Sequence, residues 1–330
     1  MKEKIKKIEA ALSALSGHET SCSLCPRGCR VDRRKDKLGV CQTGCRARVS
    51  HGLLHFGEEP VLSGSKDLSP DPGKDNGRRR GSGTVFFAGC NLKCLFCQNY
   101  QLSWFNEGRI AADEDLARMM LGLQSQGALN INLVSPTHVI LPILRALRIA
   151  IEWGLNLPIV YNSNGYDSLE AIARLEGIVD IYLPDLKYFS SGISGRYSGA
   201  PDYFGCASAA VREMTRQQPR LIVDGHEVAE RGVIVRHLVM PGHADDSLAV
   251  LDWMLENLPA TIGLSLMSQY HPCHRAPEEI RRPLTRDEYR KVAEKASELD
   301  VESLFIQPEP FGPDEHLVPD FRRKNPFRWK

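Results

Sequence analysis

Gly89-Cys90-Asn91-Leu92-Lys93-Cys94-Leu95-Phe96-Cys97-Gln98-Asn99-Tyr100 follows directly on the apolar run Thr84-Val85-Phe86-Phe87-Ala88. Three thiols therefore leave the end of a strand candidate within eight residues. A loop of that length can turn all three sulfurs onto one metal centre without help from a distant segment. A cubane iron–sulfur cluster normally takes four cysteine thiolates, so a local set of three leaves one iron open for something else. The competing reading is a zinc site or unrelated buried thiols. Zinc favours paired Cys-x2-Cys hooks, and unrelated cysteines have no reason to gather at a strand's end.

The Cys-x3-Cys-x2-Cys spacing, with Phe96 just before the last cysteine, resembles the cluster motif of radical S-adenosylmethionine (radical SAM) enzymes. The resemblance implies that Cys90, Cys94 and Cys97 hold a [4Fe–4S] cluster whose open iron is chelated by the amino and carboxylate groups of SAM. It implies reductive cleavage of SAM to methionine and a 5′-deoxyadenosyl radical, the hard chemistry belonging to the cofactor and the geometry to the protein. A reducing partner such as flavodoxin or ferredoxin goes with that chemistry.

Beyond this loop, apolar β-type runs alternate with helical patterns. Strands are expected at Thr84–Ala88, Asn130–Val134, Pro158–Asn162, Val179–Leu183, Val233–Met240 and Ile262–Met267, with a last one at Ser303–Gln307. Helices are expected near Asp113–Gln126, Val139–Trp153, Leu169–Leu175, Ala207–Gln218, Asp246–Glu256 and Arg286–Leu299. Such alternation predicts a parallel sheet. No Gly-x-Gly-x-x-Gly turn follows a strand, which lowers a dinucleotide-binding reading. The family resemblance points to an α/β fold with a partial (β/α)6 barrel, and barrel enzymes place their chemistry at the carboxyl ends of the strands.

Polar groups stand at those ends: Ser135-Pro136-Thr137-His138, Asn162-Ser163-Asn164-Gly165, Asp185-Leu186-Lys187, and Ser268-Gln269-Tyr270-His271. Arg236 lies inside an otherwise apolar strand, which is costly unless it is paired or faces a polar cavity. These segments resemble the subgroup of radical SAM proteins related to pyruvate formate-lyase activating enzyme. The resemblance implies catalytic roles for Lys187, Asp185 and Arg236, and SAM contacts from Asn162, Asn164, Asp185, Lys187, Arg236 and His271. Many family members hold the SAM amino group with a Gly-Gly-Glu turn after the second strand. Here Asn132-Leu133-Val134-Ser135-Pro136 stands instead, with Asn132, Ser135 or Thr137 as substitutes. The bland reading of these residues is exposed ion pairs and satisfied hydrogen bonds.

Ahead of the barrel, Cys22-x2-Cys25-x3-Cys29-x11-Cys41-x3-Cys45 offers five thiols where four suffice. Cys22, Cys25, Cys29 and Cys41 are the expected ligands of a second site, either structural zinc or an auxiliary iron–sulfur cluster. Cys206 and Cys273 stand alone, and Cys273 is the candidate fourth ligand that would close the main site. Grouped cysteines read as metal ligands in a reducing compartment rather than a disulfide framework.

The organisation expected is an amino-terminal helix and Cys-rich segment over 1–60, a mobile linker over 61–83, the barrel over 84–307 and a tail over 308–330. Ile5, Ile8, Leu12 and Leu15 give the first helix its apolar stripe. A net charge of +1 argues for neither nucleic acid nor an acidic membrane surface, Arg78-Arg79-Arg80 being a solvated exception. The amino terminus is too charged for a signal peptide and no apolar run approaches spanning length, so a cytoplasmic location is expected. The resulting expectation is hydrogen abstraction from a substrate at the barrel mouth. By resemblance that substrate is a protein glycine, as in glycyl-radical activation. The alternative is a non-catalytic iron–sulfur or zinc protein that transfers electrons or organises partners.

Overall fold

The computed structural model describes residues 1–35, 37–64, 81–309 and 318–327. Among them the elements run α1 (Lys2–Leu15), β1 (Arg48–His55), α2 (Pro60–Ser63), β2 (Ser82–Phe87), α3 (Tyr100–Ser103), β3 (Arg109–Ile110) and α4 (Asp113–Ser125). The chain continues through β4 (Ile131–Val134), α5 (Ile140–Glu152), β5 (Ile159–Ser163), α6 (Leu169–Ala173), β6 (Ile181–Pro184), α7 (Ser191–Ser198) and α8 (Tyr203–Gln217). It ends with β7 (Ile222–Val223), β8 (Ala229–Leu238), α9 (Ala244–Asn257), β9 (Gly263–Met267), α10 (Arg286–Ser297) and β10 (Ser303–Ile306).

Strand β2 is buried at every position, as a strand covered on both faces must be. Each following parallel strand lies beside its predecessor in the order β2-β4-β5-β6-β8-β9-β10, and β1 and β3 add antiparallel strands at the β2 edge. Among the described residues β10 and β3 end the sheet without pairing to each other. This is an α/β fold with a parallel sheet that curls as a partial barrel and stays open. The helices coat its outside. Helix α5 buries Ile140, Leu144, Leu147 and Ile151, and α1 buries Ile8 and Leu15 while Lys4 Nζ reaches Asp180 at 2.6 Å.

Strand period two sorts residues to the two sides of the wall. Val160, Ile181, Leu183 and Ile234 share an apolar cluster with Leu62 of α2, so that one-turn helix plugs the barrel from within. Asn130 Nδ2 ties the plug by donating to the Leu62 carbonyl at 2.8 Å. Residues 65–80, the middle of the expected linker and the site of Arg78-Arg79-Arg80, lie outside the described residues; Ser82 already begins β2. Of the tail, Phe321 and Phe327 pack on Phe86 with ring centroids 5.2 and 5.6 Å away.

Candidate active site

Directly after β2 the backbone turns at Gly89, whose φ of +85° belongs to the left-handed region. A Cβ there would lie 2.5 Å from the Cys41 carbonyl oxygen, so the loop can rest on the Cys-rich segment only because position 89 has no side chain. The three loop thiols each meet a separate donor. Asn164 Nδ2 lies 3.4 Å from Cys90 Sγ, Ser198 Oγ 3.0 Å from Cys94 Sγ, and Ser103 Oγ 3.2 Å from Cys97 Sγ. Burial pushes the Cys90 thiol up to about 12 and the Cys97 thiol to about 11, the neighbouring cysteines adding to both. As free thiols Cys90 and Cys97 would stay protonated; a metal centre is what makes thiolates of them.

Phe96, the aromatic residue of the motif, packs between Tyr270 and Tyr197 at centroid distances of 5.5 and 6.5 Å. Cys273 is not drawn into the set. Burial alone pushes it to about 11, and it does not figure among the groups that perturb Cys90 or Cys97. Cys206, half-buried on α8, faces Asp202 at 3.7 Å.

Next to the thiols the barrel mouth holds an ion network. Lys187 Nζ approaches Asp185 Oδ2 at 2.5 Å and Arg236 Nε donates to Asp185 Oδ1 at 2.9 Å. Arg236 Nη2 donates to Asn162 Oδ1 at 2.7 Å, and its Nη1 lies 3.5 Å from Glu58 Oε2. Burial works against the charge on Asp185, yet Arg236 and then Lys187 hold its carboxyl below the usual range. Burial likewise opposes the Lys187 ammonium, which Asp185 and Cys94 hold above its ordinary value. The charged residues foreseen from sequence are thus buried and mutually paired, not exposed.

The remaining expected contacts divide. Asn162 and Asn164 join the network and the thiols. Asn132 donates through Nδ2 to Glu58 Oε1 at 3.0 Å, and its fully buried Oδ1 has no hydrogen-bond partner. Ser135 sits just past β4 with φ +59°, its N–H donating to the Asn162 carbonyl at 2.9 Å. Thr137 is committed elsewhere, to Asp167 at 2.7 Å, and half-buried His271 is not drawn into the network. Sequence reading missed Glu58, Glu59, Ser103 and Ser198. The only signal for the acidic pair was its place before Pro60, a residue suited to the first turn of a helix.

In the amino-terminal segment Cys22, Cys25, Cys29 and Cys41 line one enclosed cavity. Cys45 is not among its lining residues; its carbonyl accepts from Arg145 Nη2 at 3.0 Å. Among the described residues no three His, Cys, Asp or Glu side chains are placed to hold a single metal ion, and no helix is long and apolar enough to cross a membrane.

The sequence model of the Radical SAM superfamily matches residues 84–254, more than half of the chain. The chain belongs to the radical SAM superfamily. Membership implies a [4Fe–4S] cluster and SAM, and the thiol set fits the cluster: three sulfurs from one loop, each with its own hydrogen-bond donor. The uncharacterized protein MJ0674 of Methanocaldococcus jannaschii is 30% identical over 297 residues, which cover 86% of this chain and 77% of that protein. The structure of SuiB from Streptococcus suis aligns with a TM-score of 0.47 and 15% identity over 72% of this chain and 49% of SuiB. Native anSMEcpe with bound AdoMet gives 0.46 and 15%, over 67% and 61% of the two chains. The chain spans about half the length of SuiB.

Proposed function

We propose that this radical SAM protein cleaves SAM reductively and uses the resulting 5′-deoxyadenosyl radical to abstract hydrogen from a substrate at the barrel mouth. The observation that carries the reading is the donor placed on each of Cys90, Cys94 and Cys97, beside the Lys187–Asp185–Arg236 network. When bound, the cluster and SAM supply the electron and the radical; the chain supplies position and charge. Cys90, Cys94 and Cys97 hold the cluster. Lys187 offers a cation and Asp185 a carboxylate, suited to the zwitterionic amino-acid end of SAM, while Arg236 fixes Asp185 from behind. In place of the Gly-Gly-Glu turn of many relatives, Asn132 Oδ1 and the Ser135 turn are the groups we assign to the SAM amino group, and Asn162, Asn164 and His271 complete the proposed contacts.

A protein glycine is the substrate class we propose. The similarity of Asn162–Gly165, Asp185–Lys187 and Val235–His237 to the activating-enzyme subgroup supports it. The partner we propose is a one-electron donor of the flavodoxin or ferredoxin kind, which reductive SAM cleavage needs whatever the substrate. The test is anaerobic. Reconstituted, dithionite-reduced protein is expected to convert SAM into 5′-deoxyadenosine and methionine, and Cys94→Ala to abolish this. An inert wild type with its cluster intact would favour a non-catalytic electron-transfer protein.

A further inference from the structure

We propose that the face built by Tyr100, Trp104, Phe105 and His274, flanked by Lys93 and Arg275, docks an acidic one-electron carrier protein of the flavodoxin kind. On the reading that the Cys90–Cys94–Cys97 loop carries a cluster reduced for SAM cleavage, on which this rests, the face is where that electron enters.

Local sequence builds the face. Tyr100 opens α3 directly after the thiol loop, Trp104 caps that helix, and Phe105 follows. Tyr100 lies parallel to His274 at a centroid distance of 5.0 Å, and Phe105 meets these two rings edge to face at 5.6 and 5.7 Å. Trp104 leans on His274 at 5.1 Å. Rings packed in this way usually belong to a core, yet Phe105 is 51% exposed and Tyr100, Trp104 and His274 are only half-buried. One exposed apolar side chain is ordinary. Four contiguous rings at the surface have the composition of an interface centre.

The free charge around these rings is of one sign. The Arg275 guanidinium stands 5.0 Å from the centre of the Trp104 ring and Lys93 Nζ 5.5 Å. Neither cation forms an ion pair among the described residues, Lys93 Nζ donating instead to the Ser103 carbonyl at 2.5 Å. A ring face attracts a cation but leaves its charge in place. Glu107, two residues beyond Phe105, is already taken by Arg322 at 2.7 Å. The Cys-rich segment adjoins this surface where Asn106 Nδ2 donates to the Gln42 carbonyl at 3.1 Å. Between Cys22 and Arg48 that segment holds eight Lys and Arg against two Asp, in a chain of net charge +1, and Arg30, Arg34, Lys35, Lys37 and Arg46 are exposed. Positive charge around an aromatic centre steers and holds a negative partner.

Position selects which negative partner. Trp104 Nε1 donates to the Cys94 carbonyl at 3.0 Å, and Ser103 beside it faces Cys97 Sγ. One indole therefore stands between the backbone of a ligating cysteine and the surface. Electron transfer between proteins falls off exponentially with distance, so a carrier seated on Trp104 gains from that thin wall, whereas a nucleic acid gains nothing from it. The step moves one electron: the carrier's anionic flavin hydroquinone becomes the neutral semiquinone and the cluster is reduced, with no proton or covalent bond exchanged.

The test uses full-length, anaerobically reconstituted protein with flavodoxin as the probe. Two quantities are read without SAM: affinity for oxidised flavodoxin by calorimetry, where no reaction occurs, and the rate at which flavodoxin hydroquinone bleaches the cluster. Arg275→Glu is expected to lower both by about tenfold or more at about 10 mM salt, where screening is weak, and to converge on wild type at about 1 M. Phe105→Ser is expected to weaken binding at either salt concentration. Arg231→Glu makes the same charge change on an exposed residue near the amino end of β8, away from the carboxyl end of β2 where the thiol loop begins, and is expected to do neither. Dithionite should reduce all of them alike. Affinities and rates that match for Arg275→Glu, Arg231→Glu and wild type at low salt overturn the inference. Should Arg275→Glu load less iron, wild type decides alone: flavodoxin binding that does not weaken as salt rises overturns it. So does a face that retains a single-stranded oligonucleotide through Arg275 and not flavodoxin. Protein that passes these tests yet leaves SAM intact would sink the proposed function alone; protein that cleaves SAM with dithionite while its flavodoxin rate ignores Arg275 would sink this inference alone.

Discussion

Arg236 lies 2.9 Å from Asp185 through Nε, on a bridge between neighbouring strand ends that the backbone repeats in the parallel pairing of Asp185 with Arg236. The guanidinium also reaches Glu58 and Asn162. It is therefore the shared counter-charge of two buried carboxyls. Removing one partner of a buried pair costs about 3–5 kcal/mol because the remaining charge is stranded. Arg236→Met should lose stability on that order in urea denaturation of anaerobic protein, and Arg236→Lys less. A loss below about 1 kcal/mol, the range of solvent-exposed pairs, would show that the network is wetter than its burial implies.

Glu58 and Glu59 are adjacent in sequence and opposite in character. Burial pushes both up, but His55 and Arg236 bring Glu58 below its ordinary value, whereas Glu59 stays above. Glu59 Oε2 is buried with no hydrogen-bond partner. The sign follows for each. Glu59, raised in the folded state, favours folding at pH below its unfolded value and loses that contribution as pH rises. Glu58, depressed, contributes above its unfolded value and loses it as pH falls. At pH 7 Glu59→Gln should be neutral or stabilising and Glu58→Gln destabilising by about 1–3 kcal/mol. Denaturation midpoints moving in the same direction would contradict the assignment.

The parallel strands and most of the coating helices were legible because their apolar runs and helical periods are long and bounded by turn residues. The thiol loop was legible because spacing encodes its geometry. What escaped shares one trait: its meaning lies in the third dimension. Helix α2 spans only Pro60–Ser63 and becomes a barrel plug because Val160, Ile181, Leu183 and Ile234 surround Leu62. Helix α7, with Gly192 and Gly195 inside it, carries little propensity, yet its last residue, Ser198, supplies the donor to Cys94. Strand β1, Arg-Val-Ser-His-Gly-Leu-Leu-His, alternates weakly and is fixed by pairing with β2.

Gly89 joins the main loop to the Cys-rich segment. Its φ of +85°, and a Cys41 carbonyl oxygen that would stand 2.5 Å from any Cβ, leave no room for a side chain. Gly89→Ala combines left-handed strain, of order 1–3 kcal/mol, with displacement of one segment from the other. The expected outcome is lower thermal stability together with reduced iron per chain after reconstitution. Full iron loading at unchanged stability would mean that the two segments are independent.

His138 carries the clearest pH dependence. It is 1% exposed, its Nε2 donates to the Ala88 carbonyl at 2.8 Å, and its Nδ1 has no partner. Burial pushes it from the ordinary 6.5 down to about 4, with Arg33 and Lys93 adding to the effect. Between those values the unfolded chain binds a proton that the folded chain refuses, so stability rises with pH across that window. Falling from pH 7 to 4 should cost about 3 kcal/mol from this group, at 1.36 kcal/mol per pH unit. His138→Gln should flatten that part of the pH–stability curve. A curve of unchanged slope would place the titration elsewhere.

Ser198 Oγ, 3.0 Å from Cys94 Sγ, also lies 2.8 Å from the Tyr188 hydroxyl, so its orientation is set from both sides. A donor on a ligating sulfur stabilises the more negative, reduced cluster more than the oxidised one, and so raises its potential. A hydrogen bond worth about 1 kcal/mol corresponds to roughly 40 mV for a one-electron couple, on the scale of 59 mV per tenfold change. Ser198→Ala should therefore lower the potential of the Cys90–Cys97 cluster by tens of millivolts while leaving iron content unchanged. Ser103→Ala, acting on Cys97 from 3.2 Å, should act in the same direction. Ser208→Ala on α8, whose hydroxyl donates to the Gly205 carbonyl at 3.2 Å, should leave the potential unchanged. An EPR-monitored redox titration reads all three, and coincident curves for Ser198→Ala and wild type would refute the donor's role at the cluster.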